Sequence, residues 1–532
     1  MSLPRREARF RIEEATVHSI HAALREGRLT CVQLVAGYLE RIRAYSQDGP
    51  KLNAFVSLNP LALEDAEQLD REFRATGRLR PLHGVVVSLK DCIDATGMPT
   101  TAGSALLRNS VPSADAFLVS RLKEAGAIVL GKNVLGDLSG ASYSTVVGIP
   151  KNPYDVTRVP GGSSSGSGVA VAANLTTVAV GEDTFTSVRS PAAFTNCVGF
   201  RPTTGLISAR GLVPRKVGID TAGPITRTVS DAAAVLNAIA GPDDRDALSV
   251  QTFQRFPASA KTGVQYRDFI SYLDKEALRG ARIGVGRDFF GGDPDIDQLA
   301  DAAIQMMRGL GADLVDVRFE EVFFDTYVRN AVETLMPVLM YPFREKFEAY
   351  LATLGGDVPR TVEKWVGLYE GELARSSFPP EKARSSHAIL VLKESLRHSS
   401  DQPEYQKLVS ETLPMLTRTK RALFDAHQIQ AMVMPYQPAF AEPIVTPTES
   451  FDAPSFVPAP GKTPPNSIAG YGSEGFPMIV VPMGFGSQGL PMGISFMGKP
   501  YSDGQLLGYA YAYEQATLHR RQPPSAPSLS MR

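Results

Sequence analysis

Cysteine is scarce in this chain of 532 residues, which contains only Cys31, Cys92 and Cys197. Three widely spaced cysteines cannot build a disulfide framework, and they lack the paired spacing of a zinc site. An excess of one charge is also lacking, because 55 lysine and arginine residues face 56 aspartate and glutamate residues. The composition therefore gives no electrostatic argument for a nucleic-acid partner or for binding to an anionic membrane.

Long hydrophobic runs are absent as well. No run of about 18 apolar residues occurs, so we expect no membrane-spanning helix. Residues 1–20 contain no apolar core of a secretory signal. Together with the few cysteines, which fit a reducing compartment, this predicts a cytoplasmic protein. The hydrophobic content of 43% is nevertheless ample for a large buried core.

Several common catalytic and binding motifs are missing too. The sequence has no H-E-x-x-H zinc motif, and none of its seven histidines lies in a recognisable nucleophile motif. Any serine chemistry would therefore need a base other than histidine, and a lysine can fill that role. We expect no metal and no other cofactor.

A stretch rich in glycine and serine is present between residues 160 and 191, with the sequence PGGSSSGSGVAVAANLTTVAVGEDTFTSVRSP. Glycine inside a helix or strand costs about 0.5–1 kcal/mol, and a buried serine hydroxyl without a partner costs about 1–3 kcal/mol. Because such residues make a poor core, their density here indicates a functional site. The alternative is a flexible linker, but the apolar and periodic flanks argue against it.

A lysine follows a short apolar run in the sequence HGVVVSLKD. Val85, Val86 and Val87 predict a buried strand that delivers Lys90 at its end. An uncharged lysine in such dry surroundings could act as the base that activates a serine. The other interpretation is a surface lysine paired with Asp91, and these residues alone leave both open.

Strand and helix patterns alternate along much of the chain, which is typical of βαβ units. We predict an α/β fold with a central mixed, largely parallel twisted sheet flanked by helices. Residues 1–80 are expected to form an N-terminal helical region that packs on a core domain of residues 81–532. Residues 318–428 have helical patterns and many aromatic residues, which indicates a helical insertion. Two turn-rich segments, 199–205 and 220–227, are expected to be loops.

Taken together, these segments resemble the amidase signature family of Ser–Ser–Lys hydrolases. The resemblance includes SLKD around Lys90, PGGSSSGSG at 160–168 and GEDTFTSVRSP at 181–191. It runs over nearly the whole chain, through TTAGS at 100–104, GFRPTTGLIS at 199–208, DTAGPITRTVSD at 220–231 and FPMIVVPMG near the end. It implies one compact domain with the amidase signature fold, and hydrolysis of a carboxamide or related acyl bond.

The resemblance also implies catalytic roles for three residues. Ser187 corresponds to the nucleophile, Ser163 to a bridging serine held in a cis peptide, and Lys90 to the base. The proton of Ser187 would pass through Ser163 to Lys90 and return to the leaving amine. Water would then hydrolyse the acyl-enzyme.

Supporting roles follow from the same resemblance. The oxyanion is expected to be held by backbone N–H groups of one turn: Thr184, Phe185, Thr186 and Ser187. Three polar residues are expected to brace the loops: Ser164, Asp183 and Arg189. Phe185 and Thr186 depart from the family, in which two glycines usually precede the nucleophile, and they are strained if the turn needs positive φ. Three outcomes stay open: an acyl pocket lined by Phe185, a rearranged oxyanion hole, and weak catalysis.

The predicted function is therefore hydrolysis of a small amide at a carbon–nitrogen bond other than a peptide bond. The expected partner is the small-molecule substrate, and the resemblance is compatible with a homodimer. The insertion at 318–428 is expected to shape the substrate pocket. Two alternatives remain: a component of a transamidating complex that releases ammonia for an aminoacyl-tRNA, and a weakly catalytic binding protein on the same fold.

Overall fold

A computed structural model describes residues 10–140, 143–214, 218–256, 268–330, 334–335, 337–375, 387–444 and 468–529. The strands in this part of the chain form a single sheet. They are β1 (Phe55–Leu58), β2 (Val86–Lys90), β3 (Ile128–Asn133), β4 (Val178–Asp183), β5 (Val198–Arg201), β6 (Thr221–Thr226), β7 (Arg282–Gly286), β8 (Asp313–Val317), β9 (Ala431–Pro435), β10 (Met478–Phe485) and β11 (Pro491–Gly498).

The sheet is mixed and flanked by helices, which confirms the predicted fold class. Its strand order is β1-β3-β2-β4-β6-β5-β10-β11-β9-β7-β8. β2 runs parallel to β3 and β4, and β7 runs parallel to β8 and β9. The other pairings between these strands are antiparallel. Two parallel groups therefore lie on either side of an antiparallel centre.

The described part of the chain also contains 16 α-helices. They are α1 (Val17–Arg25), α2 (Cys31–Arg41), α3 (Ala62–Thr76), α4 (Phe117–Glu124), α5 (Ser165–Ala172), α6 (Arg189–Phe194), α7 (Val229–Ile239), α8 (Ala247–Arg255), α9 (Pro294–Gly309), α10 (Glu321–Phe324), α11 (Pro337–Thr353), α12 (Val362–Arg375), α13 (His387–Ser395), α14 (Pro403–Lys407), α15 (Leu413–Ala426) and α16 (Asp503–Thr517). Within the described residues, no helix is long and apolar enough to cross a membrane.

The strand that carries Lys90 is buried on both faces, as its valine run predicts. Val86 packs in a cluster with residues of α2, including Leu34 and Val35. Val87 and Leu89 point to the opposite face and belong to the main core cluster. The end of β2 is therefore fixed from both sides.

Both segments predicted as turn-rich loops contribute to central strands, so the prediction is wrong for residues 199–201 and 221–226, whereas residues 202–205 lie outside the strands as predicted. Residues 198–201 form β5, and residues 221–226 form β6 between β4 and β5. Proline and glycine are rare in central strands, so the sequence TAGPIT is more typical of a turn. Gly223 is needed in β6 because a Cβ there would collide with the carbonyl oxygen of Phe200 on β5.

Candidate active site

The stretch rich in glycine and serine forms a buried turn and the helix α5, not a linker. Every residue of α5 is buried, and the helix packs against β2, β3 and β4. The N–H of Gly166 donates to the carbonyl of Val134 at 2.8 Å. A Cβ on Gly166 would lie 2.5 Å from the Val134 nitrogen, so the helix can approach β3 this closely only with a glycine there.

Lys90 is fully buried at the end of β2. Its Nζ donates to Ser163 Oγ at 2.8 Å, to the carbonyl oxygen of Glu182 at 3.1 Å and to Glu182 Oε2 at 2.7 Å. Asp91 pairs instead with Lys132, at 3.1 Å. The interpretation of Lys90 as a surface lysine paired with Asp91 is therefore wrong.

Ser163 and Ser187 lie in two turns that are held side by side. The Gly162–Ser163 peptide is cis, and the N–H of Ser164 donates to the carbonyl of Ser187 at 3.2 Å. Ser187 keeps 7% of its surface exposed, and its hydroxyl makes no hydrogen bond to any residue that the structure describes. The structure thus joins Lys90 to Ser163 and places Ser187 in the adjoining turn.

The turn predicted to hold the oxyanion links β4 to α6. Thr184, Thr186 and Ser187 are buried, and their backbone N–H groups donate to none of the described residues. Such unused donors can stabilise a developing negative charge. Neither Phe185 nor Thr186 has a positive φ. The turn therefore accommodates both side chains without the strain that left-handed geometry would impose.

The Phe185 side chain contacts an aromatic neighbour. It is half-buried, and its ring centroid lies 4.9 Å from that of Tyr471. The Tyr471 segment is held by Lys420 of α15, whose Nζ donates to the carbonyl oxygens of Ile468, at 3.0 Å, and Tyr471. Burial lowers the pKa of Lys420 well below its usual value. The rings of Phe185 and Tyr471 therefore pack against each other next to the backbone of the turn.

Asp183 anchors the turn to two buried arginines. Its carboxylate accepts from Arg189 Nε at 3.1 Å, from Arg201 Nη1 at 3.2 Å and from the N–H of Val188 at 3.0 Å. Burial raises the pKa of Asp183, but the charges of Arg189 and Arg201 outweigh it and lower the pKa to about 2. Arg189 also donates to the carbonyl of Phe185, which ties the turn to α6.

Ser164 fastens α5 to the end of β4. Its hydroxyl donates to the carbonyl of Glu182 at 3.2 Å and accepts from the N–H of Glu182 at 3.4 Å. Ser164, Asp183 and Arg189 all contact the backbone around the two serine turns. These contacts are of the kind expected of residues that brace the loops.

The sequence analysis does not predict three buried charged residues of this site: Glu182, Arg201 and Lys420. The sequence does contain one indication of them, because the adjacent acids Glu182 and Asp183 end an apolar run. Successive side chains of a strand point to opposite faces, so these two acids must contact different groups. Within the described residues, no three His, Cys, Asp or Glu side chains are grouped so that they could hold a metal ion.

Comparison with known proteins identifies the family. Residues 33–507 match the family described as Amidase, and the chain belongs to it. It is 32% identical over 514 residues to a glutamyl-tRNA(Gln) amidotransferase subunit of Caldanaerobacter subterraneus, with 96% of this chain and 97% of that protein covered. It is 34% identical over 525 residues to a probable amidase of Arabidopsis thaliana, with 97% and 92% covered.

A solved structure gives the same result. The peptide amidase of Stenotrophomonas maltophilia aligns with a TM-score of 0.83 and 35% identity, over 96% of this chain and 98% of that one. The resemblance drawn from the sequence is therefore confirmed, and with it the class of amidases, which act on carbon–nitrogen bonds. Because the similar proteins include both a peptide amidase and a component of an amidotransferase, the family does not specify the substrate.

Proposed function

We propose that this protein is an amidohydrolase that cleaves a small carboxamide, or a related acyl C–N bond, through an acyl-enzyme on Ser187. The observation that carries the proposal is the 2.8 Å contact between Lys90 Nζ and Ser163 Oγ in a fully buried site. A lysine amine on a serine hydroxyl is the first link of a proton path that needs no histidine. The second link leads to Ser187 in the adjoining turn.

In the proposed reaction, uncharged Lys90 takes the proton of Ser163 while Ser163 takes the proton of Ser187. The Ser187 oxygen attacks the carbonyl carbon of the amide and forms a tetrahedral intermediate. The hydrogen bond between the two serine hydroxyls forms in the substrate complex, because catalytic hydrogen bonds often tighten only there. The proton then returns along the same path to the leaving amine, and water hydrolyses the acyl-serine.

The negative charge of the intermediate is held by the turn that precedes α6. The unused N–H groups of Thr184, Thr186 and Ser187 support this assignment, and Phe185 completes the predicted set. Removing one such donor typically slows an acyl-transfer enzyme by about 10²–10³-fold. Ser164, Asp183 and Arg189 act by holding the turn in place.

The helices between β8 and β9 are proposed to shape the substrate pocket, as part of an insertion at about 318–428. Tyr350 of α11 donates to Asp94 at 3.0 Å, and Tyr369 of α12 donates to Asp137 at 2.6 Å. Asp94 follows the carboxyl end of β2, and Asp137 follows that of β3. These helices therefore contact the same sheet edge as Lys90, where ligands of parallel α/β sheets bind.

Transamidation is the second candidate, and the similarity to a glutamyl-tRNA(Gln) amidotransferase component over 96% of the chain favours it. In that role the same acyl transfer would release ammonia for an aminoacyl-tRNA, and a partner protein would be required. A weakly catalytic binding protein is the third candidate, motivated by Phe185 and Thr186. Neither residue has a positive φ, so left-handed backbone strain gives no argument for an inactive protein.

The test is release of amine or ammonia from a panel of aliphatic amides, aryl amides, carbamates, lactams and peptide amides. Release by the purified protein that is absent in the Ser187→Ala variant is expected. Ammonia release that appears only with a partner protein would favour transamidation. No release under either condition would favour the binding protein.

Location, assembly and domain boundaries are also part of the proposal. A cytoplasmic, reducing environment is supported by Cys31, Cys92 and Cys197, which are all buried and unpaired. The homodimer and the division at residue 80 stay predictions.

A further inference from the structure

We propose that Glu182 is a positioning residue that orients the Lys90 amine toward Ser163. The inference rests on the proposed function, because it concerns the base of that reaction. It adds a residue that holds the base of the path formed by Ser187, Ser163 and Lys90.

Three oxygen atoms surround Lys90 Nζ within hydrogen-bond distance. Glu182 supplies two of them, its carbonyl oxygen at 3.1 Å and Oε2 at 2.7 Å, and Ser163 Oγ at 2.8 Å is the third. An uncharged lysine has two N–H groups and one lone pair. When both N–H groups are bound by Glu182, the lone pair is left facing the Ser163 hydroxyl, as a base requires.

The Glu182 carboxylate is itself held at both oxygens. Oε2 accepts from Lys90, and Oε1 lies 2.8 Å from the hydroxyl of Thr184. Thr184 is the first residue of the proposed oxyanion turn, and its hydroxyl also lies 2.8 Å from Asp220. One side chain thus connects the base to the turn that holds the charge of the intermediate.

The position of Glu182 on its strand explains how it reaches Lys90. Glu182 and Asp183 are the last two residues of β4, next to β2 in the sheet. Because consecutive strand residues face opposite ways, Glu182 contacts Lys90 while Asp183 contacts Arg189. Glu182 therefore contacts the base, whereas Asp183 anchors the turn that carries Ser187.

The pair is shielded from solvent, because the side chains of Lys90 and Glu182 are 0% and 3% exposed. Water does not reach the amine, so it cannot replace the Glu182 carboxylate as an acceptor. Loss of this acceptor would leave an N–H group of Lys90 without a partner or let the amine turn away from Ser163.

The test measures how fast a sulfonyl fluoride modifies Ser187, with the modified serine located by mass spectrometry. Glu182→Ala removes the acceptor and is expected to label about 10- to 100-fold more slowly than the wild type. Glu182→Gln keeps the shape and an acceptor oxygen, and it is expected to restore most of the labelling rate that Glu182→Ala loses.

The matched control is Asp91→Asn, which changes the carboxylate beside the neighbouring lysine, Lys132, and is expected to keep the wild-type labelling rate. If Glu182→Ala does not fold, Glu182→Met, which has a similar length and no acceptor oxygen, replaces it. A folded variant without the acceptor that labels as fast as the wild type, or a Glu182→Gln that labels as slowly as that variant, would overturn the inference and leave the proposed function standing. No labelling of Ser187 in the wild type at any pH would instead overturn the proposed function, and the inference with it.

Discussion

Lys90 and Lys132 occupy matching places in the molecule, near the ends of the adjacent parallel strands β2 and β3. Both are fully buried. Lys132 Nζ donates to Asp91 at 3.1 Å, to Thr100 Oγ1 at 2.9 Å and to the carbonyl of Pro99 at 3.3 Å. It therefore ties the segment after β2 to β3.

Lys90 also has three acceptors and a buried carboxylate, but one of its acceptors is the Ser163 hydroxyl. The turn that carries Ser163 is hydrogen-bonded to the turn that carries Ser187. Burial and a carboxylate partner are thus shared by both lysines and do not by themselves indicate a base. Lys90 differs from Lys132 in that it contacts Ser163, whose turn is hydrogen-bonded to the turn of Ser187.

The largest effect is expected from a change of Ser187. Ser187→Ala should lower kcat/KM by about 10⁴-fold or more, because the nucleophile is gone. The control is Ser88→Ala on β2, a buried serine whose hydroxyl has no hydrogen-bond partner among the described residues. Amide hydrolysis by both variants, with circular dichroism as a check of folding, makes the measurement. Retained activity in Ser187→Ala would remove Ser187 from the reaction.

The two lysines themselves can be compared by Lys90→Met and Lys132→Met. Each change leaves a carboxylate buried without its lysine, so both should lower the free energy of unfolding by about 3–5 kcal/mol. Only Lys90→Met should also lower kcat, by about 10³-fold or more per folded molecule, with partial recovery at high pH. Equal losses of kcat in the two variants would show that Lys90 acts only through stability.

Much of this comparison could be predicted from the sequence, and some could not. The valine run before Lys90 predicted a buried strand but left the surroundings of Lys90 open, and only the resemblance to the amidase signature family implied that Lys90 acts with Ser163 and Ser187. The sequence did not reveal the partner of Lys90, because a single glutamate gives no signal of what it contacts across a sheet. Gly223 and Pro224 are typical of turns, so their presence in β6 did not indicate a central strand. Gly223 is needed there because the backbones of β5 and β6 approach each other closely.

A smaller effect is expected at Phe185, in the turn that carries Ser187. Phe185→Gly should raise kcat/KM for amides with a bulky acyl group by about tenfold relative to acetamide, because the ring next to Tyr471 is removed. The control is Phe323→Leu on α10, whose ring stacks on Phe319 at 5.2 Å. The ratio of kcat/KM for the two substrates is the measurement. An unchanged ratio in Phe185→Gly would show that this ring does not limit the acyl group.

A pH-dependent change in stability distinguishes the carboxylate beside Lys132, Asp91, from the carboxylate between two arginines, Asp183. The pKa of Asp183 is about 2 in the folded protein, below its value of about 3.9 in an unfolded chain. Asp183 therefore contributes about 2–3 kcal/mol of stability above pH 4, which is lost as the pH falls from 4 to 2. Burial raises the pKa of Asp91 although Lys132 opposes the change, so its contribution is present at low pH and is lost as the pH rises through the folded pKa.

Urea unfolding of the wild type, Asp183→Asn and Asp91→Asn across this pH range tests these signs. The deficit of Asp183→Asn relative to the wild type should shrink as the pH falls below 4. The wild type should lose stability relative to Asp91→Asn as the pH rises. Differences that change in the same direction for both variants would contradict the assignment.

A covalent acyl group on Ser187 is the most direct consequence of the proposed reaction. It can be sought by stopping the turnover of an activated aryl amide with acid, digesting the protein and locating the added acyl mass by mass spectrometry. The predicted result is an acyl mass on Ser187 in the wild type and no such mass in Ser187→Ala. An acyl mass on Ser163 or on any other serine, with none on Ser187, would contradict it.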